Sequence, residues 1–300
     1  MREPEADARN DDLRSAHAPE FTLQTWNCFG AAQGPISFLA WRGAPDSHRF
    51  DHPELHAHVH EADILCVQEL YLGDAEDFFD RLEHGHKTRD PNTNTWSPFT
   101  VAGSGLGVAA RFPIVARDLR PFGQPQILSE RFARKGVLLV RLETHAGQVD
   151  LLTTHMQSGY SPKAQEIRAH QLQKVRRAID EFGSPDRPFI VTGDFNICGL
   201  APKRTGEYAA LERVLGDFRD LGADADHVTF HPDPRVNSLA HRFEPRSPAQ
   251  RVDYVMFRPD RSHRVEAVST ERVLERQLVG HGRETFASDH FGLRTRFVVR

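Results

Sequence analysis

Five short polar clusters stand where apolar runs of the chain stop: Asn27, Gln68-Glu69, Thr154-His155, Gly193-Asp194-Phe195-Asn196 and Ser288-Asp289-His290. Carboxylate oxygens beside an amide suit a hard divalent cation such as Mg2+, which prefers oxygen ligands and keeps several waters. Two histidines among that many carboxylates are too few for a zinc site. A histidine with an ordinary pKa of about 6.5 can instead take a proton from water near neutral pH. Taken singly, each cluster has an ordinary structural role: Asn27 can cap a turn, Glu69 can form a surface ion pair, and Gly193-Asp194 can simply turn the chain. Their conjunction points to chemistry, because strand ends around a sheet crevice converge in space even when far apart in sequence.

The elements that must position these clusters follow from periodicity. FTLQTWN (21–27) and ADILCVQEL (62–70) read as strands, the second apolar enough to be buried on both faces. Residues 74–82 read as a short helix capped by Gly73-Asp74, and 84–103, rich in Asn, Thr, Pro and Gly, as a loop. GLGVAARFPIV, KGVLLVRLET and QVDLLTTHM read as three strands, the last two joined by a turn at His145-Ala146-Gly147. Ser161-Pro162 opens the longest helix, through Phe182, with Ile167, His170, Leu172, Val175 and Ile179 as its apolar face. RPFIVTGDFN is a strand running into a loop, 205–215 a helix, and RVDYVMF, RVEAVSTERV and HFGLRTRFVV are further strands. No internal repeat or linker divides the chain. Strands in two runs, each interrupted by helices, predict an α/β sandwich of two packed mixed sheets with helices outside, in a single domain over 21–300.

Composition limits the partners. The 300 residues are 39% hydrophobic and 27% charged, enough for a substantial core. No apolar run approaches the roughly 20 residues of a membrane span, and the mean hydropathy is −0.53. A formal net charge of −4 argues against holding nucleic acid by bulk electrostatics, though not against a local basic patch. Residues 1–20 are charged and lack apolar periodicity, which predicts a disordered tail; they also lack the basic start and apolar stretch of a signal peptide, which predicts a cytoplasmic protein. Cys28, Cys66 and Cys198 have no paired spacing, so neither a disulfide framework nor a structural zinc site is expected.

TWNCFG, ILCVQEL, TTHMQ, VTGDFNICG, RVDYVMF and SDHFGL, in that order, resemble the motif series of the endonuclease/exonuclease/phosphatase superfamily, whose members are deoxyribonuclease I-like in fold and hydrolyse phosphate esters with a metal. The match runs from about residue 21 to 299. The resemblance implies a four-layer α/β sandwich with two mixed sheets flanked by helices. It implies Glu69 as the principal Mg2+ ligand (Mn2+ substituting), Asn27 beside it, and Asp289 assisting at the metal. It makes His290 the base that activates the attacking water and Asp253 the carboxylate that orients it. Asp194 and Asn196 would position that water and a phosphate oxygen, and His155 would donate to the phosphate. A phosphodiester transition state gains negative charge, which a cation and hydrogen-bond donors stabilise.

Between the motifs the chain is similar to the sphingomyelinase, phospholipase C-like branch. SERFARKGVLLVRL resembles its Lys-Gly strand, here Lys135-Gly136, and THMQSGYSPKAQEIRAHQLQKV its His-x-Gln followed by R-x-x-Q, here Arg168 and Gln171. GEYAALERVL is similar to its E-Y helix after the GD-x-N loop. Lys135, Arg168 and Gln171 are therefore expected to bind a phospholipid head group, with peripheral membrane contact. Two departures stand out: no signal peptide, and no exposed aromatic hairpin between Thr270 and Ser288, where only Phe286 is aromatic. The alternatives are a nuclease or tyrosyl-DNA-type phosphodiesterase, with the Arg-rich stretch Arg242–Arg251 touching backbone phosphates, and an inactive binding module. The sequence does not give the oligomeric state.

Overall fold

The computed structural model describes residues 18–30, 46–90, 103–123, 130, 133–200, 206–223, 227–280 and 283–300. Its strands are β1 (Glu20–Asn27), β2 (Ile64–Gln68), β3 (His86–Arg89), β4 (Gly107–Ala110), β5 (Ile114–Pro121), β6 (Gly136–Thr144), β7 (Gly147–His155), β8 (Phe189–Asp194), β9 (Arg219–Asp220), β10 (Asp253–Arg258), β11 (Val265–Val273), β12 (Gln277–Gly280), β13 (Arg283–Phe286) and β14 (Gly292–Val299). The helices are α1 (Pro53–His60), α2 (Gly73–Asp80), α3 (Pro162–Phe182), α4 (Gly206–Val214) and α5 (Ser238–Phe243). One six-stranded sheet has the order β11-β14-β1-β2-β4-β3, the other β5-β6-β7-β8-β10-β9. Both are mixed, since β1 runs parallel to β2 and β7 to β8 while their other pairings are antiparallel.

Strand alternation builds the layers. In β6, Leu138, Val140 and Leu142 join Phe21, Ile64, Val108 and Phe297 of the opposite sheet in the core between the sheets. The intervening Val137 and Leu139 face outward, onto Leu172, Val175 and Ile179 of α3 and Leu211 of α4. On the far side, Trp26, Leu65 and Val67 pack against Leu55 and Val59 of α1 and Phe78 and Phe79 of α2. Period-two side chains on both sheets therefore make helix, sheet, sheet and helix layers, the expected four-layer sandwich. Each fully buried Leu, Val or Phe contributes about 1.5–3 kcal/mol.

Several local expectations change. GLGVAARFPIV is not one strand: it splits into β4 and β5, in different sheets, at Arg111–Pro113, where Pro113 lacks an N–H for a ladder and Arg111 is exposed. The expected loop at 84–103 contains β3, an edge strand of polar residues paired with β4, and 91–102 of it lies outside the described residues. In α2 the N-cap is Leu72 rather than Gly73-Asp74, and Asp74 Oδ1 accepts from the Ala75 N–H at 3.0 Å. On α3, capped by Ser161, His170 is exposed instead of facing the core, and Arg168 and Gln171 are buried in its place. The tail at 1–20 falls mostly outside the described residues, and Glu20 already begins β1. A hairpin of β12 and β13 was unforeseen; its one aromatic, Phe286, is buried and Val279 is exposed.

Candidate functional site

Strand register brings the polar clusters together. Asn27 and Gln68 are register partners at the C-terminal ends of parallel β1 and β2, as are His155 and Asp194 at the ends of β7 and β8. Asp253, the first residue of antiparallel β10, lies opposite Asp194. His290 lies two residues before β14, whose first residues pair near the end of β1, and it is bridged to Phe230. The buried Gln68 ties the two sheets directly below, donating from Nε2 to Thr25 Oγ1 at 3.2 Å and to Thr153 Oγ1 at 3.1 Å. All five clusters thus open on one edge of the sandwich. The β7–β8 approach is close enough that a Cβ on Gly193 would lie 2.1 Å from the Thr154 carbonyl oxygen, which explains a glycine within that strand. Glu69 and Asn196 adopt left-handed backbone, with φ of 64° and 53°, aiming their side chains out of the strand direction.

Asn27 Nδ2 donates to Glu69 Oε1 at 3.1 Å and to Asp194 Oδ2 at 3.0 Å, and its Oδ1 accepts from the Phe29 N–H at 3.0 Å. Burial pushes the Glu69 carboxyl above its usual range, against the opposing pull of the Asn27 bond. Burial and the neighbouring Asp253 raise Asp194 to about 6, and burial raises Asp289 to about 7. Three crowded carboxyls, short of positive charge, make up this flank.

The other flank is paired. His290 Nδ1 lies 2.8 Å from Asp253 Oδ2, and its Nε2 faces Asp194 Oδ2 at 3.9 Å. Burial disfavours the His290 charge, but Asp253 outweighs it, with help from Asp289 and Asp194, and holds the imidazole well above its ordinary value. Thr229 Oγ1 accepts from the N–H groups of Val252 and Asp253, fixing the start of β10. His155 Nε2 is 3.0 Å from Lys135 Nζ, 3.6 Å from Asp194 Oδ2 and 3.9 Å from Glu69 Oε1; burial, then the Lys135 charge, hold it well below its ordinary value. Asn196 Nδ2 donates to the Met156 carbonyl at 3.1 Å while its N–H donates to Asp194 Oδ1. Asp194, Asp253 and His290 place one ligand-type atom each within 4.8 Å of one another.

Eight of the anticipated residues therefore converge: Asn27, Glu69, His155, Asp194, Asn196, Asp253, Asp289 and His290. The three expected head-group binders sit differently. Lys135 is buried and donates to Glu130 Oε1 at 2.7 Å and the Met156 carbonyl at 2.8 Å besides touching His155. Arg168 clamps Glu207 with two bonds and donates from Nη1 to the Gln157 and Gly159 carbonyls, each at 2.8 Å. Gln171 Oε1 accepts from the Gln157 N–H at 2.8 Å. Arg168 and Gln171 thus hold the loop after β7 rather than facing a substrate, because a helix position in sequence fixes a face but not what covers it. Glu130, which also accepts from Ser158 Oγ at 2.5 Å, and Thr229 were missed; a lone acid and a lone threonine carry no spacing signal. In the Arg-rich stretch Arg251 is fully buried on Asp220 at 2.8 Å, Arg242 pairs with Asp46 at 3.1 Å, and Arg246 is exposed.

A sequence profile described as the Endonuclease/Exonuclease/phosphatase family matches residues 25–290. A sphingomyelinase of Dictyostelium discoideum is 28% identical over 201 residues, 53% of this chain and 43% of that protein. A sphingomyelinase C of Bacillus cereus is 24% identical over 187 residues, 58% of this chain and 53% of the relative. The chain thus spans about half the length of these two relatives. Among solved structures, a beta toxin of Staphylococcus aureus superposes with a TM-score of 0.70 at 18% identity, over 92% of this chain and 99% of that one. TDP2 of D. rerio, complexed with a single-strand DNA product, gives 0.68 at 18% identity, over 93% and 98%. At such identities the superpositions establish a shared deoxyribonuclease I-like fold.

Proposed function

Because the chain belongs to the Endonuclease/Exonuclease/phosphatase family, we propose that it is a phosphodiester hydrolase that uses a divalent cation, Mg2+ first, and acts on a choline phospholipid of the sphingomyelin type. The observation that carries the reaction class is His290, oriented by buried Asp253 at 2.8 Å with its other nitrogen turned toward Asp194. The donor set fits a hard cation: Glu69 and Asp289 are carboxyls raised by burial, and the Asn27 amide oxygen keeps a free lone pair beside them. Those three residues would hold it, and when bound it supplies positive charge to the phosphate and the leaving oxygen. His290 Nε2 takes the proton of the attacking water, and Asp253 stabilises the imidazolium so formed. Asp194 and Asn196 orient that water. The Lys135 ammonium, held by Glu130, the Met156 carbonyl and His155 Nε2, sets positive charge beside the phosphate.

The lipid substrate draws support from the two sphingomyelinase relatives, and the full burial of Arg251 on Asp220 takes one arginine out of the basic stretch on which a nuclease reading leaned. The test is one parallel assay of detergent-dispersed sphingomyelin, lysophospholipid, single-stranded DNA and abasic duplex, with and without Mg2+. Phosphocholine release from sphingomyelin that needs Mg2+ is the expected result. Metal-dependent cleavage of DNA, with phosphocholine release no greater than that of Glu69→Gln, moves the assignment to nucleic acid.

A further inference from the structure

Among the described residues, the large apolar side chains that stay exposed are Val115, Tyr160, Val268 and Val279, and Tyr160 is the one aromatic, at 58% exposure. It does not dangle. The residues before it are held from three directions: Gln157 by Gln171, Ser158 by Glu130, and the Gln157 and Gly159 carbonyls by Arg168, itself only 2% exposed. Gly159 turns the chain with φ of 94°, and Ser161 caps α3 immediately after. The tip is fixed as well, since Tyr160 Oη accepts from Gln250 Nε2 at 2.7 Å.

That anchor leads to the catalytic crevice. Gln250 exchanges backbone bonds with Phe230 at 2.9 and 3.0 Å, and Phe230 is bridged on its other side to His290, with its ring 5.3 Å from the imidazole. At about 4.8 Å between neighbouring strands, Gln250 stands two strand spacings, roughly 10 Å, from His290. A largely buried ion pair and several hydrogen bonds thus hold one exposed aromatic ring against the Gln250–Phe230 strand pair that leads to His290.

We propose that Tyr160 is the rest for the non-reacting end of the substrate and takes a quaternary ammonium against its ring face. The inference rests on the phosphodiesterase reading above and names the group that its substrate presents. A cation seated on a tyrosine face is attracted by the negative face of the ring quadrupole. A nucleic-acid strand would instead need successive stacking rings and free basic side chains along the backbone. Here the nearby Arg168 is engaged by Glu207, and Lys163 by Glu166. Arg168 acts through the loop as a positioning residue.

The probes are p-nitrophenyl phosphorylcholine, p-nitrophenyl phosphorylethanolamine and bis-p-nitrophenyl phosphate, with Mg2+. Wild-type protein should prefer the choline ester to the ethanolamine ester. Tyr160→Ala should lower kcat/KM for the choline ester about tenfold more than for bis-p-nitrophenyl phosphate, chiefly through KM, while Tyr160→Phe keeps most of the preference. Arg168→Lys should shift the same ratio in the same direction. Equal losses on both esters in Tyr160→Ala, or no choline preference in the wild type, overturn the inference while leaving the hydrolase reading standing. Wild-type protein that cleaves none of the three overturns both.

Discussion

The two flanks of the crevice are built on opposite electrostatic plans. On the β1, β2 and β14 side, Glu69 and Asp289 are buried carboxyls, with a neutral Asn27 between Glu69 and Asp194, and burial pushes Asp289 to about 7. On the β7 and β10 side every titratable group has a partner: His290 with Asp253, and His155 with Lys135, itself held by Glu130. An under-compensated flank is ready for an external cation, whereas a paired flank is already set for proton transfer. The difference separates what the protein brings from what it must recruit.

The largest effect is expected where the paired flank is broken. His290→Ala and Asp253→Asn should each lose rate by about 10²–10⁴-fold with little change in KM, and the double variant should be barely worse than either, because the two act as one unit. Additive losses would show that they work apart. The pH profile sharpens the point. Asp253 raises the His290 pKa, and the base must be neutral, so activity should rise with pH through the His290 ionisation. Removing the Asp253 charge lowers that pKa, and the acid limb of the surviving activity in Asp253→Asn should move to lower pH. A limb that stays put would detach His290 from the proton transfer.

On the recruiting flank, Glu69→Gln should keep the fold, being nearly isosteric, yet lose about a hundredfold in Mg2+-dependent turnover. Part of the loss should return at high Mg2+ if Glu69 acts on cation affinity. Wild-type activity at limiting Mg2+ in this variant would place the cation elsewhere, with the Asp194, Asp253 and His290 group the next candidate.

What could be read in advance divides along similar lines. The strand-end residues were legible because a buried strand is apolar by necessity, so a polar residue at its end stands out; Asn27 and Asp194 both did, whereas Asp253 was marked only by the resemblance of RVDYVMF to the family's motif. β3 was not legible, since HKTR at a sheet edge carries no apolar face. The break at Arg111–Pro113 was hidden inside one continuous apolar reading, and α1 shows only Leu55 and Val59 to the core. For Arg168 and Gln171 the sequence marked positions whose side chains the structure turns onto the loop after β7. Apart from the Glu207 carboxylate on Arg168, their partners are backbone groups of 157–159, and backbone groups look the same in every sequence.

Lys135 is where the two plans meet, and its smaller effect tests where it belongs. Were it a head-group ligand, Lys135→Met would hurt a lipid substrate selectively. Buried against His155 and Glu130, it should instead cost about tenfold on sphingomyelin and bis-p-nitrophenyl phosphate alike. The variant should also lose stability, by about 1–3 kcal/mol, because the buried bonds of Lys135 to Glu130, His155 and the Met156 carbonyl are lost. A loss confined to the lipid would return Lys135 to the substrate side.

The smallest effect separates the flanks without any turnover. A cation that binds the folded protein alone stabilises it by about 2.7 kcal/mol at a hundredfold excess over Kd. Unfolding entropy of about 2.1 cal/mol/K per residue converts that, for 300 residues, into a rise in Tm of about 4 °C. Wild-type protein should show this rise with Mg2+, read by calorimetry against a Na+ control of equal ionic strength. Glu69→Gln, on the recruiting flank, should show little of it. Asp253→Asn, on the paired flank, should keep most of it, because removing that carboxylate leaves Glu69, Asn27 and Asp289 in place. The reverse pattern, with Asp253→Asn silent to Mg2+ and Glu69→Gln responsive, would put the cation among Asp194, Asp253 and His290 and exchange the roles of the two flanks.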